Sequence, residues 1–340
     1  MKEVKTIGID LAKNIFQFHG ADENGKVVFK RKLTRKKVIP FLSNIECCLV
    51  GIEACAGSNY WAREITKLGH SVKIIAPQFV KPYVKNDKTD ENDAEAICEA
   101  VTRPNMRFVP TKKVEQQDIQ TIHRVRERLI KARTALINEV RSILHEYGIT
   151  MLVGRSRFKN SLPTILANAD NELTSMTRDV LEQLSKEYFT LEERVSYYED
   201  KIKMIHKNHP ESQRLITIPG VGILGATAII ASVDPNNFKN GRELAAWLGL
   251  VPKQHSSGGK SKMLGISKRG DSYIRKLLIH GARASLNWLK EDSVGRRNDW
   301  LRKLSARKSK NCAAVALANK NARVIWALLS KQENYKIIAA

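Results

Sequence analysis

The chain has 340 residues, of which 42% are hydrophobic and 27% charged, a composition typical of a soluble globular protein with two or three domains. Its 58 Lys and Arg residues outnumber its 35 Asp and Glu residues, and the net charge of +23 favours a polyanionic partner, nucleic acid before an anionic membrane. We find no apolar run long enough to span a bilayer and no signal peptide, so we expect no membrane segment and a cytoplasmic location.

The cysteines and the charge distribution further limit the kinds of site and partner to expect. The five cysteines are odd in number and form no CxxC pair, which favours reduced cysteines over a disulfide framework or a zinc site. From Val251 to the end, 20 Lys and Arg face only five Asp and Glu, a net charge of +15. An ordinary solvated surface mixes both signs, so this part of the chain favours contact with a polyanion.

The first hundred residues alternate strand and helix patterns. Three segments joined by tight turns predict an antiparallel meander, namely Val4 to Asp10, Ile15 to His19 and Val27 to Lys32. The next predicted elements are a helix near Arg35 to Leu42, a strand at Cys47 to Ile52, a helix at Tyr60 to Leu68, a strand at Val72 to Ile75 and a helix from Asp90 to about Val101. The order β-β-β-α-β-α-β-α predicts an RNase H-like α/β sheet with right-handed crossovers.

The middle of the chain has apolar residues at helical spacing. Val114 to Tyr147 and Val180 to Ile205 predict long amphipathic helices that pack as an antiparallel pair or a coiled-coil arm. Such an arm is either a spacer or a device for dimerisation or for holding nucleic acid. Gly154 to Asp170 predicts an irregular connection.

The last third predicts a mostly helical domain. Its expected helices are Ala226 to Ala231, Arg242 to Leu248, Tyr273 to Trp288 and Ala313 to Leu329. Gln254 to Gly265, rich in Ser, Gly and Lys, predicts a loop that is mobile without nucleic acid. We therefore expect an α/β domain at 1–108, a helical arm at 109–208 and a mostly helical domain at 209–335.

Four carboxylates are the strongest chemical signal. Asp10 ends the first strand and Glu53 ends a later buried strand that should lie beside it, while Asp90 and Asp93 share one face of a helix. Each pair alone is ordinary, because a strand-end Asp is usually a turn residue and acidic residues are favoured at helix starts. Together they need a cation to offset their repulsion, and Mg²⁺ on such a site points to phosphoryl transfer.

Three basic or glycine-rich segments are candidates for phosphate contact. Ile218-Pro219-Gly220-Val221-Gly222 resembles the hairpin of a helix-hairpin-helix element, with a simple helix–helix turn as the alternative. The segment from His255 to Lys262, with Lys260 and Lys262, could carry a serine nucleophile, although composition alone favours a linker. Downstream, Lys268, Arg269 and Arg275 could hold a phosphate backbone without reading bases.

Five groups of residues stand in a familiar order: Gly8-Ile9-Asp10, Glu53, Lys88-Thr89-Asp90 to Asp93-Ala94, Ile218-Pro219-Gly220-Val221-Gly222, and Pro252 through Ser257-Gly258 to Lys268-Arg269-Gly270 with Arg275. They resemble the motifs of DEDD-type transposases of the insertion-sequence one-ten family, bridge-RNA-guided recombinases related to the Piv DNA invertases. The resemblance covers nearly the whole chain and is weakest in the helical middle.

The resemblance implies a RuvC-like N-terminal domain in which Asp10, Glu53, Asp90 and Asp93 bind Mg²⁺, which Mn²⁺ could replace. It implies a C-terminal transposase domain with a catalytic serine before a glycine. That serine corresponds to Ser257, with Ser256 one position away as the alternative. We see no departure from the family pattern at the five catalytic positions.

The resemblance also implies a mechanism and partners. The serine attacks a DNA phosphodiester and forms a transient covalent link. The carboxylates and the serine come from different subunits of a homodimer, or of a tetramer in the synaptic complex. A structured noncoding guide RNA, the bridge RNA, pairs with donor and target DNA, and the protein is prokaryotic and nucleoid-associated.

Two other functions stay open on the sequence. A junction-resolving nuclease would use the same carboxylates with water as nucleophile, and Ser257 would be dispensable. A non-catalytic nucleic-acid-binding protein would need neither site, although the presence of all four carboxylates argues against it.

Overall fold

A computed structural model describes residues 3–85, 87, 89–289 and 295–336. Lys88 of the expected carboxylate motif and residues 290–294 of the expected C-terminal domain lie outside this part of the chain. The chain divides into two compact units, Met1–Lys113 and Val114–Ala340. The three-domain division expected from the sequence stays a prediction.

The N-terminal unit contains a six-stranded mixed sheet. Its strands are β1 (Thr6–Leu11), β2 (Ile15–Ala21), β3 (Val27–Thr34), β4 (Leu49–Glu53), β5 (Ser71–Ile75) and β6 (Phe108–Val109). They lie in the order β3-β2-β1-β4-β5-β6. The antiparallel meander of β1 to β3 is confirmed, as are the parallel additions of β4 and β5. The two-residue β6 was not predicted, because a pattern needs more residues than that.

Helices cover both faces of this sheet. They are α1 (Val38–Leu42), α2 (Ser58–Lys67), α3 (Pro77–Val80) and α4 (Asp90–Val101), with short 3-10 turns at Arg35–Lys37 and Lys81–Tyr83. The side chains of Ile7 and Ile9 share one core with residues of α1 and α2. The expected α/β fold is confirmed for this unit, and its predicted elements occur in the predicted order, with α3 and β6 as additions.

Helix α4 packs directly on the backbone of β1, on the face opposite to α1 and α2. A Cβ atom built on Gly8 would lie 2.1 Å from the carbonyl oxygen of Ala94 and 2.4 Å from the amide nitrogen of Cys98. Only a residue without a side chain leaves this space. The sulfur of Cys98 lies 3.8 Å from the carbonyl oxygen of Thr6. Helix α4 therefore runs antiparallel to β1, and its N-terminus lies towards Asp10.

The second unit begins with two long helices, α5 (Val114–Glu146) and α7 (Ser175–Asn208). They form the predicted antiparallel pair: Arg126 contacts Glu199 at 2.6 Å, and Arg133 contacts Glu192 at 2.5 Å. The expected irregular connection between them is wrong, because it contains α6 (Arg155–Ala167). Pro163 lies inside α6, and an internal proline is ordinarily a helix breaker. Phe158 and Leu162 are buried against α5 and α7, and this packing stabilises α6 in spite of the internal proline.

The rest of this unit is mainly helical and packs around one apolar core. Its helices are α8 (Pro210–Leu215), α9 (Ile223–Ile230), α10 (Gly241–Trp247), α11 (Ser272–Asn287), α12 (Arg296–Arg307) and α13 (Lys310–Lys331), and its strands are β7 (Pro252–Ser257) and β8 (Lys260–Ile266). The four helices predicted in this region are confirmed as α9, α10, α11 and α13, with shifted ends. Helices α8 and α12 were not predicted, since α8 is short and α12 is dominated by charged residues.

The loop expected at Gln254 to Gly265 is a β-hairpin. Ser257 pairs with Lys260, so only Gly258 and Gly259 form the turn. Their φ angles are 55° and 75°, and a type I′ hairpin turn needs positive φ at both central positions. A two-residue Gly-Gly turn between short runs is itself a hairpin signal, which the Ser- and Lys-rich composition obscured.

Candidate active site

Asp10 and Glu53 occupy neighbouring positions near the carboxyl ends of two paired strands. β1 and β4 run parallel with Ile9 opposite Ile52, so the next residue on each strand is a carboxylate. Paired strands are about 4.8 Å apart. Both carboxylates are half-buried at the same edge of the sheet. The expected adjacency of their strands is confirmed.

Cys55 lies beside both carboxylates. Burial raises the pKa of its thiol, and the negative charges of Glu53 and Asp10 raise it further. The carboxylates of Asp10 and Glu53 are therefore both close enough to Cys55 to influence its thiol. Asp10 and Glu53 supply carboxylate oxygens at this edge. Such hard donors fit Mg²⁺.

The start of α4 brings two further carboxylates to the same side of the sheet. Asp90 is the first residue of α4 and Asp93 lies in its first turn. The hydroxyl of Thr89 caps the helix by accepting a hydrogen bond from the amide of Asn92 at 3.2 Å. The positive end of the helix dipole stabilises carboxylates at this position.

The four carboxylates do not form a ready coordination sphere. Within the described residues, no group of three or more His, Cys, Asp or Glu side chains is arranged to hold a metal ion. Asp90 is exposed, and Asp93 is half-buried. Like charges repel, so carboxylates stand apart unless a cation joins them. Convergence of all four on one metal centre stays a prediction.

An ion-pair network holds α4 against the meander. Lys30 on β3 contacts Glu91 at 2.9 Å and Glu95 at 3.5 Å. Buried His19 on β2 lies 3.8 Å from the same Glu95, and burial lowers the pKa of its imidazole despite that carboxylate. These residues are not among the site residues predicted from the sequence, although the positions of His19 and Lys30 on neighbouring strands of the predicted meander are a signal for them.

The two candidate nucleophiles lie on opposite faces of the β7–β8 hairpin. Ser256 pairs with Ser261, and the amide of Gln254 donates hydrogen bonds to both hydroxyls, at 2.8 Å and 3.1 Å. Because strand side chains alternate, Ser257 lies on the other face. There it pairs with Lys260 and shares the face with His255 and its partner Lys262. Ser257 is therefore the serine on the cationic face.

The two glycines of the 218–222 segment, which connects α8 with α9, have different surroundings. Gly220 has φ +91°, and a Cβ atom there would lie 2.8 Å from the hydroxyl of Ser285 and 2.9 Å from the carbonyl oxygen of Gly281, both on α11. Gly222 precedes α9, is exposed and has open space around it. Of the two, Gly222 offers the accessible backbone.

The basic residues in and after the β7–β8 hairpin also differ in their roles. The guanidinium of Arg275 donates hydrogen bonds to the carbonyl oxygens of Leu248 at 3.0 Å and Arg269 at 2.8 Å, and so holds the preceding turn. Lys268 is in the left-handed region with φ 55°, and the side chains of Lys268 and Arg269 are exposed. Lys260 and Lys262 are exposed as well.

A further cationic cluster lies on α12 and α13, where the sequence analysis made no assignment. Lys320 lies 4.5 Å above the ring of Trp300. Burial lowers the pKa of Lys320, and the nearby charges of Arg297 and Arg323 lower it further. The i, i+3 spacing of Lys320 and Arg323 on a predicted helix was the available signal.

Two family profiles match the chain. One, described as "Transposase IS116/IS110/IS902 family", matches residues 212–296. The other, a transposase profile of DEDD type, matches residues 7–149 and so includes all four carboxylates. Among the described helices, none is long and apolar enough to cross a membrane.

Several transposases are similar over nearly the whole chain. A probable family 20 transposase of Pseudomonas aeruginosa is 49% identical over 332 residues, which are 97% of this chain and 98% of that protein. The transposase for insertion sequence element IS1111A of Coxiella burnetii is 48% identical over 99% of this chain and 92% of its own. The transposase for insertion sequence element IS1328 of Yersinia enterocolitica is 39% identical over 97% and 98%. The chain therefore belongs to the IS116/IS110/IS902 family of transposases.

Proposed function

We propose that this transposase cuts and exchanges DNA strands with two sets of residues. Asp10, Glu53, Asp90 and Asp93 form its metal-binding carboxylate site, and Ser257 is its nucleophile. The observation that carries the proposal is the pairing of β1 with β4, which brings Asp10 and Glu53 together on the side where α4 begins.

The carboxylates would hold Mg²⁺, with Mn²⁺ as a substitute. A bound cation of this kind supplies charge stabilisation to a phosphodiester during displacement. The chain's own contribution is positional. The paired strands fix Asp10 and Glu53, while the Gly8 contact and the Lys30 ion pairs fix the start of α4.

The serine would take part covalently. The Ser257 hydroxyl oxygen forms a bond to phosphorus, the bond from phosphorus to the leaving sugar oxygen breaks, and the hydroxyl proton passes to that oxygen. The hydroxyl oxygen of another strand then bonds to phosphorus, the bond from phosphorus to the serine oxygen breaks, and that oxygen takes up the hydroxyl's proton, so the phosphodiester is conserved without an external energy source. The hairpin faces favour Ser257, because Lys260 and Lys262 share its face and Ser256 is held by Gln254.

The proposed partners are donor and target DNA, a structured noncoding guide RNA and a second copy of the chain. The exposed cations after the hairpin suit contacts to phosphate backbone, which position nucleic acid without reading its sequence. Sequence choice would then come from base pairing of the guide RNA. The working unit is a homodimer, or a tetramer in the synaptic complex, in the nucleoid region of a prokaryotic cytoplasm.

Subunit complementation tests this arrangement. Asp10→Ala and Ser257→Ala would each abolish strand exchange when assayed alone with guide RNA, Mg²⁺ and both DNAs. If the carboxylates and the serine act from different subunits, an equimolar mixture regains one intact composite site per mixed dimer. Random mixing then restores about a quarter of the parent activity.

Two results would contradict the proposal. A mixture as inactive as either variant would place both sets of residues in one subunit. Cleavage that persists in Ser257→Ala would favour a junction-resolving nuclease that uses water. Because both substitutions truncate side chains that are not fully buried, thermal unfolding of each variant should match the parent and serves as the control.

A further inference from the structure

The register of the β1–β3 meander aligns three side chains across the sheet. Asp10 is opposite Gln17 on β2, and Gln17 is opposite Lys32 on β3. Directly paired residues of antiparallel strands have their side chains on the same face. Gln17 and Lys32 therefore share the face of Asp10, and two strand spacings, about 10 Å, separate Lys32 from Asp10.

Cross-strand neighbours on this face form rows, of which the row of Gly8 is covered by α4 and the row of Asp10 is more open. Gly8, two residues before Asp10, contacts α4, and its row continues through His19 to Lys30. Beyond that row, Gln17 is half-buried and Lys32 exposed. The following pair on the same face is Ile15 with Thr34; Ile15 is 42% exposed and Thr34 is also exposed. We name Ile15, Gln17, Lys32 and Thr34 the β2–β3 shelf.

Lys32 differs in charge environment from its neighbour Lys30. Lys30 is neutralised by Glu91 and Glu95 of α4. In the part of the chain that the structure describes, Lys32 makes no ion pair. A carboxylate site repels an approaching polyanion, and an exposed cation on the same face offsets that repulsion.

An aromatic surface stands near the same end of the meander, on the face of the sheet opposite to the β2–β3 shelf. Arg35 follows β3, and its guanidinium lies 5.0 Å from the ring of Trp61 and 5.7 Å from that of Tyr60. Tyr60 is in the first turn of α2 and is 45% exposed. This aromatic surface is therefore separate from the β2–β3 shelf.

We propose that the β2–β3 shelf binds the phosphodiester backbone of the DNA strand that is cut, with Lys32 contacting a phosphate near the one that reaches Asp10 and Glu53. This inference rests on the proposed function, because it takes Asp10 and Glu53 as the site of cleavage. Gln17 can donate hydrogen bonds to the same backbone from the middle of the row.

Salt-dependent binding by the full chain tests the proposal. The variants are Lys32→Gln, Lys32→Arg and the control Lys26→Gln, which removes an exposed lysine from the turn end of the β2–β3 hairpin, away from Asp10. The probes are fluorescently labelled single-stranded DNA and single-stranded RNA of the same sequence. Binding is followed by anisotropy over a range of salt concentrations.

The expected result is a change in salt slope as well as in affinity. Lys32→Gln should lower the slope of log K against log salt by about 0.7 for DNA, and the affinity about fivefold near 0.1 M salt. Lys32→Arg should retain the parent slope, and Lys26→Gln should change it less than Lys32→Gln does. A merely structural role for Lys32 would not move the slope in this charge-dependent way.

Calorimetric titration with Mn²⁺ distinguishes a failure of the shelf proposal from a failure of the proposed carboxylate site. If the parent binds Mn²⁺, Asp10→Asn loses it and Lys32→Gln has the slope of Lys26→Gln, the shelf proposal is wrong while the proposed function stands. If the slope falls for RNA alone, the shelf holds RNA instead, and our assignment to the cut strand is wrong. If the parent binds no Mn²⁺, the carboxylate site and the shelf proposal fail together.

Discussion

Gly8 is the residue on which the position of α4 depends. A Cβ atom there would overlap the backbone of Ala94 and Cys98, and neither backbone atom can move without shifting the helix. We therefore expect Gly8→Ala to lower the free energy of unfolding by about 1–3 kcal/mol, the usual effect of overpacking. Urea denaturation measures this. The shifted helix should also weaken Mn²⁺ binding.

Gly265→Ala is the matched control for this prediction. Gly265 lies in β8, its φ is not positive, and a Cβ atom there would have nothing within 4 Å. The same added methyl group should therefore change the free energy of unfolding little. Equal stability of Gly8→Ala and the parent would mean that α4 does not pack on β1 as described.

The choice between Ser256 and Ser257 shows a limit of the sequence at this scale. Both stand beside each other in a polar segment, and composition favoured a linker. Only the register of β7 with β8 separates them, because it assigns one serine to the face of Gln254 and the other to the face of Lys260. Register depends on the turn, and we had not recognised Gly258-Gly259 as a hairpin turn.

Helices α5, α9 and α11 meet at His123, a side chain only 3% exposed. Its Nε2 lies 3.0 Å from the hydroxyl of Thr227, which donates to the carbonyl oxygen of Ile223, and its Nδ1 lies 3.0 Å from the hydroxyl of Tyr273. Because the Thr227 hydroxyl donates to Ile223, it accepts from Nε2, and a neutral imidazole can then accept from the Tyr273 hydroxyl at Nδ1. Burial lowers the pKa of His123 to about 4, and the charge of Arg126 lowers it further.

This pKa predicts acid sensitivity. The unfolded histidine, with a pKa near 6.5, binds its proton before the folded one does. Its contribution to stability is therefore complete above about pH 6.5 and is lost as the pH falls towards 4, to a total of about 3 kcal/mol. Urea denaturation between pH 7 and 4.5 should show a shallower pH dependence for His123→Gln than for the parent. Identical pH profiles would contradict the assignment.

At the scale of elements, the periodicity of apolar residues predicts helix bounds correctly where one face of the helix is regularly buried. It gave the start and the approximate end of α4 and of α5, because their apolar residues repeat at helical spacing over three turns or more. It failed at α6, where Pro163 stands inside a helix, and at α12, whose sequence carries few apolar residues. There, tertiary packing of single residues such as Phe158 and Leu301 decides the structure.

For the whole molecule, a net charge of +23 indicates a polyanionic partner without showing which cations are available to it. The structure distinguishes them. Lys30 and Arg275 are engaged by carboxylates or carbonyl oxygens, whereas Lys32 and Lys268 are exposed without an ion pair among the described residues. Lys30 and Lys32 share one face of β3 but differ in role, because only Lys30 contacts the carboxylates of α4.

The order of the carboxylates could be predicted from the sequence, since strand ends and a helix start are local features. Whether they converge could not, because on the proposed function that depends on a bound cation. Asp10 and Glu53 are adjacent through β1–β4 pairing alone. The positions of Asp90 and Asp93 depend on the packing of α4, so we expect them to be the part of the proposed site most sensitive to bound metal.

We propose that the transposase joins DNA to Ser257 in a reaction that also needs the carboxylates, and a trapped adduct tests this proposal most directly. The protein, its flanking noncoding RNA, Mg²⁺ and labelled donor and target DNA are incubated and resolved on a denaturing gel. We predict a protein–DNA adduct in the parent and in Ser256→Ala, and none in Ser257→Ala or Asp10→Ala. Cleavage without an adduct, unchanged in both serine variants, would contradict the claim and indicate hydrolysis by water.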